Sequence, residues 1–453
     1  MSDERIWSGA SPEEVIRDLE PLVAFTAEGL PLGELDALLT DRLLPHLTRY
    51  DLPSFHSFFN MVPEEGALHG ARVAMEWNQG VTNWQVSPGG AVLEELCCQA
   101  LCRLFGLDAG ADGTVMYSGT YANQQALYMA LHRKAEEEGF DLAEEGVQGF
   151  TDPGRLALIT SVDGHFSLRH AVRMLGLGER ALIPVDVDEN RRMDTASLRS
   201  KLSELSVERD VFCVVATAGT TSTGSVDPAE EIADICADHG CWLHVDGAYG
   251  LAYMLVPDRK RFFTGIERAD SLSWDPHKQF GVPIPSSILF ARRAEDLRRM
   301  AIFSGYWNLP DTAEPNPGTK SIPSTRPFTA LPLVTSIRHL GLHGVIERLS
   351  APLAVIREIH RYLEGAPDME CLHVPDTGIL CFKVVPEDLP FDELDQLQHQ
   401  VYNTILGDGQ RSISITDLDG TATLRLVVLS PTVTVDSVKE TINMVRDIAE
   451  TYR

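Results

Sequence analysis

At 453 residues the chain is too long for one core of ordinary size, so two or more lobes are expected. Acidic side chains outnumber basic ones 66 to 38, a formal charge of −28, which disfavours nucleic acid and anionic membrane as partners because both need a basic face. No apolar run approaches the ~20 residues of a membrane-crossing helix, and Met1-Ser2-Asp3-Glu4-Arg5 does not open a basic-then-apolar leader, so a cytoplasmic location is expected.

Cys97, Cys98, Cys102, Cys213, Cys236, Cys241, Cys371 and Cys381 are scattered, several of them in apolar runs. They read as small buried hydrophobes of a reducing compartment. Cys97-Cys98-Gln99-Ala100-Leu101-Cys102 lacks paired C-x-x-C spacing, and no metal site is expected.

In chain order, Pro12 to Leu19 predicts a short helix with Ser11 as its cap. Leu35, Leu38, Leu39, Leu43 and Leu47 recur at helical spacing within 32–47. An aromatic cluster, Pro53-Ser54-Phe55-His56-Ser57-Phe58-Phe59, follows. Ser87-Pro88 leads into a helix from about Gly90 to Phe105. Gly113 to Tyr117 is a short strand ending in Ser118-Gly119-Thr120, with a helix running on through Leu131. Small residues there let backbone N–H groups and hydroxyls reach a phosphate at the positive end of the helix. An ordinary N-cap explains the same residues equally well when they are taken alone.

Residues 136–154, rich in Glu and Gly, predict a solvated surface excursion. Strand and helix then alternate: strands at 156–160, 181–185, 211–217, 241–246 and near Ser271, with helices at 194–205 and 228–239 between them. Near-continuous Val, Ile and Leu in strands separated by helices predict an α/β fold, a parallel sheet covered on both faces. Ligands of such sheets bind at the carboxyl ends of the strands, where His165, Thr217, Asp246 and Lys278 all fall. A long loop rich in Pro and Gly occupies 303–326. A helical stripe of Val345, Leu349, Leu353, Ile356, Ile359 and Leu363, strands at 378–385 and 423–429, and a last helical face of Val435, Val438, Ile442, Val445 and Ile448 predict a small α+β lobe. In it Arg425 is either an inward carboxylate binder or a strand arginine facing solvent.

The stretch that organises the chain is Ser273-Trp274-Asp275-Pro276-His277-Lys278-Gln279-Phe280, preceded by His244-Val245-Asp246-Gly247-Ala248-Tyr249-Gly250. A lone Lys is usually a solvated charge, and an Asp after a strand is often a helix cap. Neither accounts for the two together with the Ser-Gly-Thr turn. An Asp ending one strand and a Lys just beyond another are what a pyridoxal 5'-phosphate site needs: an amine for a Schiff base, and a carboxylate that keeps the ring nitrogen protonated.

These motifs resemble the group II pyridoxal-phosphate-dependent amino acid decarboxylases, of the aspartate aminotransferase fold (fold type I), over most of the chain from Pro53 onward. The resemblance implies a large domain with a mostly parallel sheet, a small C-terminal α+β domain and an N-terminal helical arm. The corresponding boundaries are 1–84 for the arm and dimerisation segment, 85–330 for the cofactor-binding domain and 331–453 for the small domain. It implies Lys278, His165 and Asp246 as catalytic residues. It implies Ser118, Gly119, Thr120, His165, Thr217, Asp246, Ala248, His277 and Lys278 around the cofactor, with His165 stacked on the ring, Thr217 near it, and Gly119, Thr120 and His277 by the phosphate. The segment Thr217-Ala218-Gly219-Thr220-Thr221 with Gly224 and Asp227, and the pattern Ser87, Pro88 and Glu94, also match.

The implied activity is decarboxylation of an L-amino acid to the amine and CO2 through an external aldimine and a quinonoid, in a homodimer with active sites at the interface. Three departures stand out. Leu52 takes the place of a pocket His, with His56 four residues on; Ala91 replaces a Thr; and 307–326 holds no Tyr, Tyr306 lying at the loop's start where the family's Tyr does not. The proton donor to Cα is therefore open among Lys278, His165 and His277. Oxidation to an aldehyde, other bond cleavage at Cα or Cβ, and a non-catalytic cofactor-binding protein are the competing readings.

Overall fold

The computed structural model describes residues 5–304, 314–387 and 389–452. The chain forms two compact units: residues 63–351 with 373–377, and residues up to 62 with 352–372 and 378 onward.

The larger unit is built on a seven-stranded sheet: β1 (Asp112–Met116), β2 (Leu156–Ser161), β3 (Leu182–Val185), β4 (Asp210–Thr217), β5 (Trp242–Asp246), β6 (Ser271–Trp274) and β7 (Ser287–Ala291), in the order β1-β7-β6-β5-β4-β2-β3. β7 pairs antiparallel with both β1 and β6; the pairs β2–β3, β2–β4, β4–β5 and β5–β6 are parallel. Helices Gly119–Glu138, Ser167–Met174, Thr195–Leu205 and Ala229–His239 connect the strands. Their ends are marked in the sequence. Asp194 Oδ1 accepts from Ala196 N and Ser197 N at 2.8 and 3.2 Å, and Gly240 closes the Ala229–His239 helix at φ 67°, where a side chain would be strained. Every residue of β2, β5, β6 and β7 is buried, as expected of a sheet covered on both faces. Leu127, Leu131, Leu158, Val215 and Leu289 are among the core side chains.

The register aligns the strand ends. Thr217 on β4 lies opposite Asp246 on β5, and Asp246 lies opposite Ser273 on β6. Adjacent strands are ~4.8 Å apart, so these side chains form one row at the carboxyl edge.

Residues 136–154 depart from the expected solvated excursion. The Gly119–Glu138 helix runs two turns past Leu131, and Leu142 and Phe150 are buried against the core, with Phe140 and Phe150 meeting edge to face at 4.8 Å. The acidic residues face water while three apolar side chains anchor the segment beneath them.

The smaller unit carries β8 (Met369–Cys371), β9 (Ile379–Val384), β10 (Ser414–Leu418) and β11 (Thr421–Val427) in an antiparallel sheet ordered β10-β11-β9-β8. Helices Phe391–Asp408 and Val435–Thr451 pack on it through Leu397, Val401, Val438 and Ile442. Arg425 does not face solvent: it is buried, donates from Nε to Ser414 Oγ at 2.8 Å and lies 5.7 Å from the Phe59 ring.

In the arm, Pro12–Leu19 is helical with a Ser11–Glu14 capping box. The stripe over 32–47 is not one regular helix. The α-helix spans Leu32–Leu38, then a wide turn covers Leu39–Leu43 and a tight one Leu44–His46, where Pro45 cannot supply an N–H. Among the described residues no helix is long and apolar enough to cross a membrane.

Candidate active site

Asp246 ends β5 and is buried. Its Oδ2 accepts from Asn123 Nδ2 at 2.7 Å; its Oδ1 accepts from Ala248 N at 3.1 Å and from Ser273 Oγ at 3.2 Å. An ionised carboxylate has about four acceptor positions. One on Oδ2 is therefore left for a further donor. Burial would push this carboxyl up. The His165, His244 and Lys278 side chains and the Asn123 amide outweigh burial and bring it below the usual carboxylate range.

His165 follows β2. Its Nδ1 accepts from Ser167 N at 3.2 Å, which leaves Nε2 to carry the proton. Burial holds the imidazole below its ordinary value, with Asp246 acting against that and Lys278 with it. The turn before it is pinned by Asp163, which takes the Arg191 guanidinium at 2.8 and 3.0 Å. Lys278 Nζ lies 3.2 Å from Asp275 Oδ2, and Asp275 Oδ1 accepts from Ser287 Oγ at 2.6 Å. His277 contacts the Ser286 carbonyl through Nδ1 at 2.5 Å, and burial lowers its basicity.

Ser118 caps the Gly119–Glu138 helix, its Oγ accepting from Tyr121 N at 3.4 Å. A Cβ on Gly119 would stand 2.9 Å from Asp275 Oδ2 and 3.2 Å from the Ala248 side chain, so only glycine fits between them. Thr120 is half-buried on the first turn. Thr217 N donates to Asp227 Oδ2 at 2.7 Å, while Thr217 Oγ1 is buried without a partner among the described residues. Burial pushes the Asp227 carboxyl up to about 7, against the pull of the Met193 and Thr217 N–H groups.

Asp246, His165, Lys278 and Thr217 thus lie around the carboxyl ends of β2, β4, β5 and β6, beside the amino end of one helix. The open acceptor on Asp246, the unpartnered Thr217 hydroxyl and the side-chain-free approach at Gly119 fit a flat heterocycle with a proton-bearing nitrogen and an anionic tail. The pyridoxal-dependent decarboxylase conserved domain matches residues 12–385. The chain belongs to this family.

This pyridoxal-phosphate-dependent amino acid decarboxylase, a carboxy-lyase, is similar along its length to proteins of differing specificity. It is 30% identical to L-2,4-diaminobutyrate decarboxylase of Acinetobacter baumannii, across 99% of this chain and 90% of that one. It is 26% identical to the aromatic-L-amino-acid decarboxylase of Bacillus atrophaeus, across 92% and 85%. It is 30% identical to the acidic amino acid decarboxylase GADL1 of Bos taurus, across 85% and 73%. Its fold matches the glutamate decarboxylase domain of a Vibrio parahaemolyticus diaminobutyrate enzyme with TM-score 0.88 at 24% identity, covering 99% of this chain and 91% of that one. It also matches Oryza sativa TDC, solved with PLP and tryptamine, with TM-score 0.90 at 20% identity, covering 99% and 93%.

Sequence reasoning misses part of the decarboxylase site. Asn123, His244 and Ser273, all buried, surround Asp246, and Asp227 holds Thr217. The period of two in Trp242-Leu243-His244-Val245-Asp246 was the available signal for His244. Nothing in the sequence singles out Asn123, a polar residue one turn into a helix. Tyr306 lies outside the described residues, as does the loop segment 305–313.

Proposed function

We propose that this decarboxylase converts an L-amino acid to its amine and CO2 with Lys278 as the covalent anchor of pyridoxal phosphate and Asp246 as the partner of its ring nitrogen. The cofactor supplies an electron sink for the bond to the departing carboxylate. Asp246, kept ionised, holds the proton on the ring nitrogen and so keeps that sink deep. His165, its Nδ1 committed to the Ser167 N–H, would cover the ring and offer its Nε2–H to the substrate. Ser118, Gly119, Thr120 and His277 would receive the phosphate at the helix start, Ala248 would bound the ring, and Thr217 would offer its unpartnered hydroxyl. The Lys278 amine would hold the cofactor and, once released by the substrate amine, could return a proton to Cα.

The observation that carries this reading is the open acceptor on Asp246 at the end of β5, with His165 and Lys278 just beyond the carboxyl ends of β2 and β6. Incubating the purified protein, pyridoxal phosphate and a panel of diamino, acidic, sulfinic and aromatic amino acids, with products identified by mass, tests it. An amine with equimolar CO2 is expected. Ammonia and peroxide in place of the amine would mean aldehyde formation, and no product from any amino acid would overturn the assignment.

The protein is also proposed to act as a homodimer in a reducing, cytoplasmic compartment. Phe25 and Leu32 on the arm are 92% and 78% exposed, a poor arrangement for a lone chain in water. The cysteines are free thiols. Sedimentation of the purified protein at micromolar concentration would give a dimer mass.

A further inference from the structure

A buried polar row lies behind Asp246. On β5 the side chains of Trp242, His244 and Asp246 alternate with apolar Leu243 and Val245, and so share one face. On β6, Ser271 lies opposite His244 and Ser273 opposite Asp246. Asn123, from the Gly119–Glu138 helix, meets them from above. Trp242, His244, Ser271, Ser273 and Asn123 are each at most 1% exposed. Apolar side chains would fill this layer at less cost, so the polar row calls for a role beyond packing.

The hydrogen bonds run in one direction. Trp242 Nε1 can only donate, and does so to Ser271 Oγ at 2.9 Å. Ser271 is thereby left to donate its own proton to His244 Nδ1 at 2.8 Å. His244 is then the tautomer protonated on Nε2, which donates to Asn123 Oδ1 at 3.0 Å. With its carbonyl so occupied, Asn123 turns its NH2 to Asp246 Oδ2 at 2.7 Å and to Ser167 Oγ at 2.9 Å. The Ser273 hydroxyl has one proton for two acceptors, Asn123 Oδ1 at 3.0 Å and Asp246 Oδ1 at 3.2 Å. The ionised carboxylate is the stronger acceptor. A donor-only group at one end and an acceptor-only group at the other fix every proton between them. Burial, which pushes His244 down to about 4, keeps the ring neutral in this role.

We propose that Trp242, Ser271, His244 and Asn123 form a one-way donor relay that holds Asp246 as an oriented, ionised acceptor for the cofactor's ring nitrogen. These are positioning residues, acting through Asp246. The proposal rests on the reading that Asp246 faces that nitrogen. Without the Ser271 proton, His244 is free to carry its hydrogen on Nδ1. Nε2 then opposes the Asn123 carbonyl, and the amide turns its oxygen toward Asp246, placing acceptor against acceptor.

The test loads the holoenzyme with pyridoxal phosphate labelled with 15N in the ring and reads the ring-nitrogen signal against pH. Wild type should give the pyridinium signal at neutral pH. Asp246→Asn should lose it; retention there would overturn the Asp246 reading itself. Ser271→Ala and Asn123→Leu should shift the loss of the pyridinium signal to lower pH, Asn123→Leu the more strongly, while Ser271→Thr, which keeps the hydroxyl, restores the wild-type profile. Imidazole 15N spectra of the apoprotein, with His244 identified by its absence in His244→Gln, should show Nε2–H alone in wild type and a tautomer mixture in Ser271→Ala. If Asp246→Asn abolishes the pyridinium signal while Ser271→Ala and Asn123→Leu, shown folded by their unfolding transitions, keep both the wild-type titration and a single His244 tautomer, the relay is wrong and the row is structural.

Discussion

The Lys278 ammonium group lies 3.2 Å from the Asp275 carboxylate, three residues back in the same turn. Asp275 is buried, is held by Ser287 Oγ at 2.6 Å and lies against Gly119 at the start of the helix. One carboxylate thus ties the proposed covalent anchor to the proposed phosphate end.

Replacing Lys278 with Ala should abolish the visible absorbance of the bound cofactor and reduce turnover by a factor on the order of a thousand or more. Asp275→Asn keeps an acceptor for Ser287 and removes one ion pair that Lys278 must leave to engage the cofactor. The two side chains are 19% and 5% exposed, so desolvation offsets much of their attraction and about 1 kcal/mol remains to be broken. Reconstitution of the apoprotein should accordingly run about fivefold faster, with the same final absorbance. Stopped-flow reconstitution spectra measure both; an Asp275→Asn protein that never reaches the wild-type amplitude would show Asp275 to be needed in the loaded site.

Gly119→Ala places a methyl group 2.9 Å from Asp275 Oδ2, so the buried carboxylate, held by Ser287 Oγ, must shift. The expected result is cofactor affinity lowered by about tenfold or more, roughly 1.4 kcal/mol, with an apoprotein destabilised by about 1–3 kcal/mol from the overpacking but still folded. Fluorescence titration with pyridoxal phosphate reads the first, circular dichroism the second. Unchanged affinity would move the phosphate away from this helix start.

The parallel strands were legible because a strand buried on both faces must be apolar throughout, as in Val211-Phe212-Cys213-Val214-Val215. β7 was not read: Ser287 to Ala291 is a five-residue run close after two prolines, too short to tell from a loop by periodicity. Asp246 and Lys278 stood out because charges at the ends of apolar strands need a reason. Asn123 did not, because its partner Asp246 lies 123 residues away in the chain and only the fold brings them together. Arg326, at the end of the long Pro- and Gly-rich loop, carries no sequence signal of a buried role. In the structure it is the buried partner of Glu94, and it bonds the Val81 carbonyl at 3.0 Å and Ser321.

Glu94 and Arg326 make a buried pair, each with a side chain 3% exposed. Burial raises the Glu94 carboxyl, with Arg326 and the Val115 N–H pulling it back. Removing one partner leaves the other's charge or polarity uncompensated, at a cost of about 3–5 kcal/mol. Glu94→Ala should lower the unfolding free energy by that much, seen as a lower urea midpoint at constant slope. The double variant Glu94→Leu with Arg326→Met should recover most of the loss. If it did not, the pair would matter for more than its charges, and the remaining loss would belong to the hydrogen bonds from Arg326 to the Val81 carbonyl and Ser321, which the methionine also removes.

His56 is fully buried in the smaller unit, its backbone N bonded to Ser412 Oγ at 3.0 Å and its carbonyl to Val427 N at 2.7 Å. Burial, aided by the Arg411 charge, pushes the imidazole down to about 3 from an ordinary 6.5. Between those values the unfolded chain binds the proton and the folded one does not. The stability this neutral ring contributes is therefore intact above pH 6.5 and drains away as pH falls toward 3, by roughly 4–5 kcal/mol. His244, pushed down to about 4, acts in the same direction. His56→Gln, which cannot titrate, should be less stable than wild type at pH 7.5 yet lose less stability on acidification, so the two curves converge toward pH 4. Denaturant midpoints taken at half-unit pH steps give both curves, and parallel curves would mean that His56 is protonated as readily in the fold as out of it.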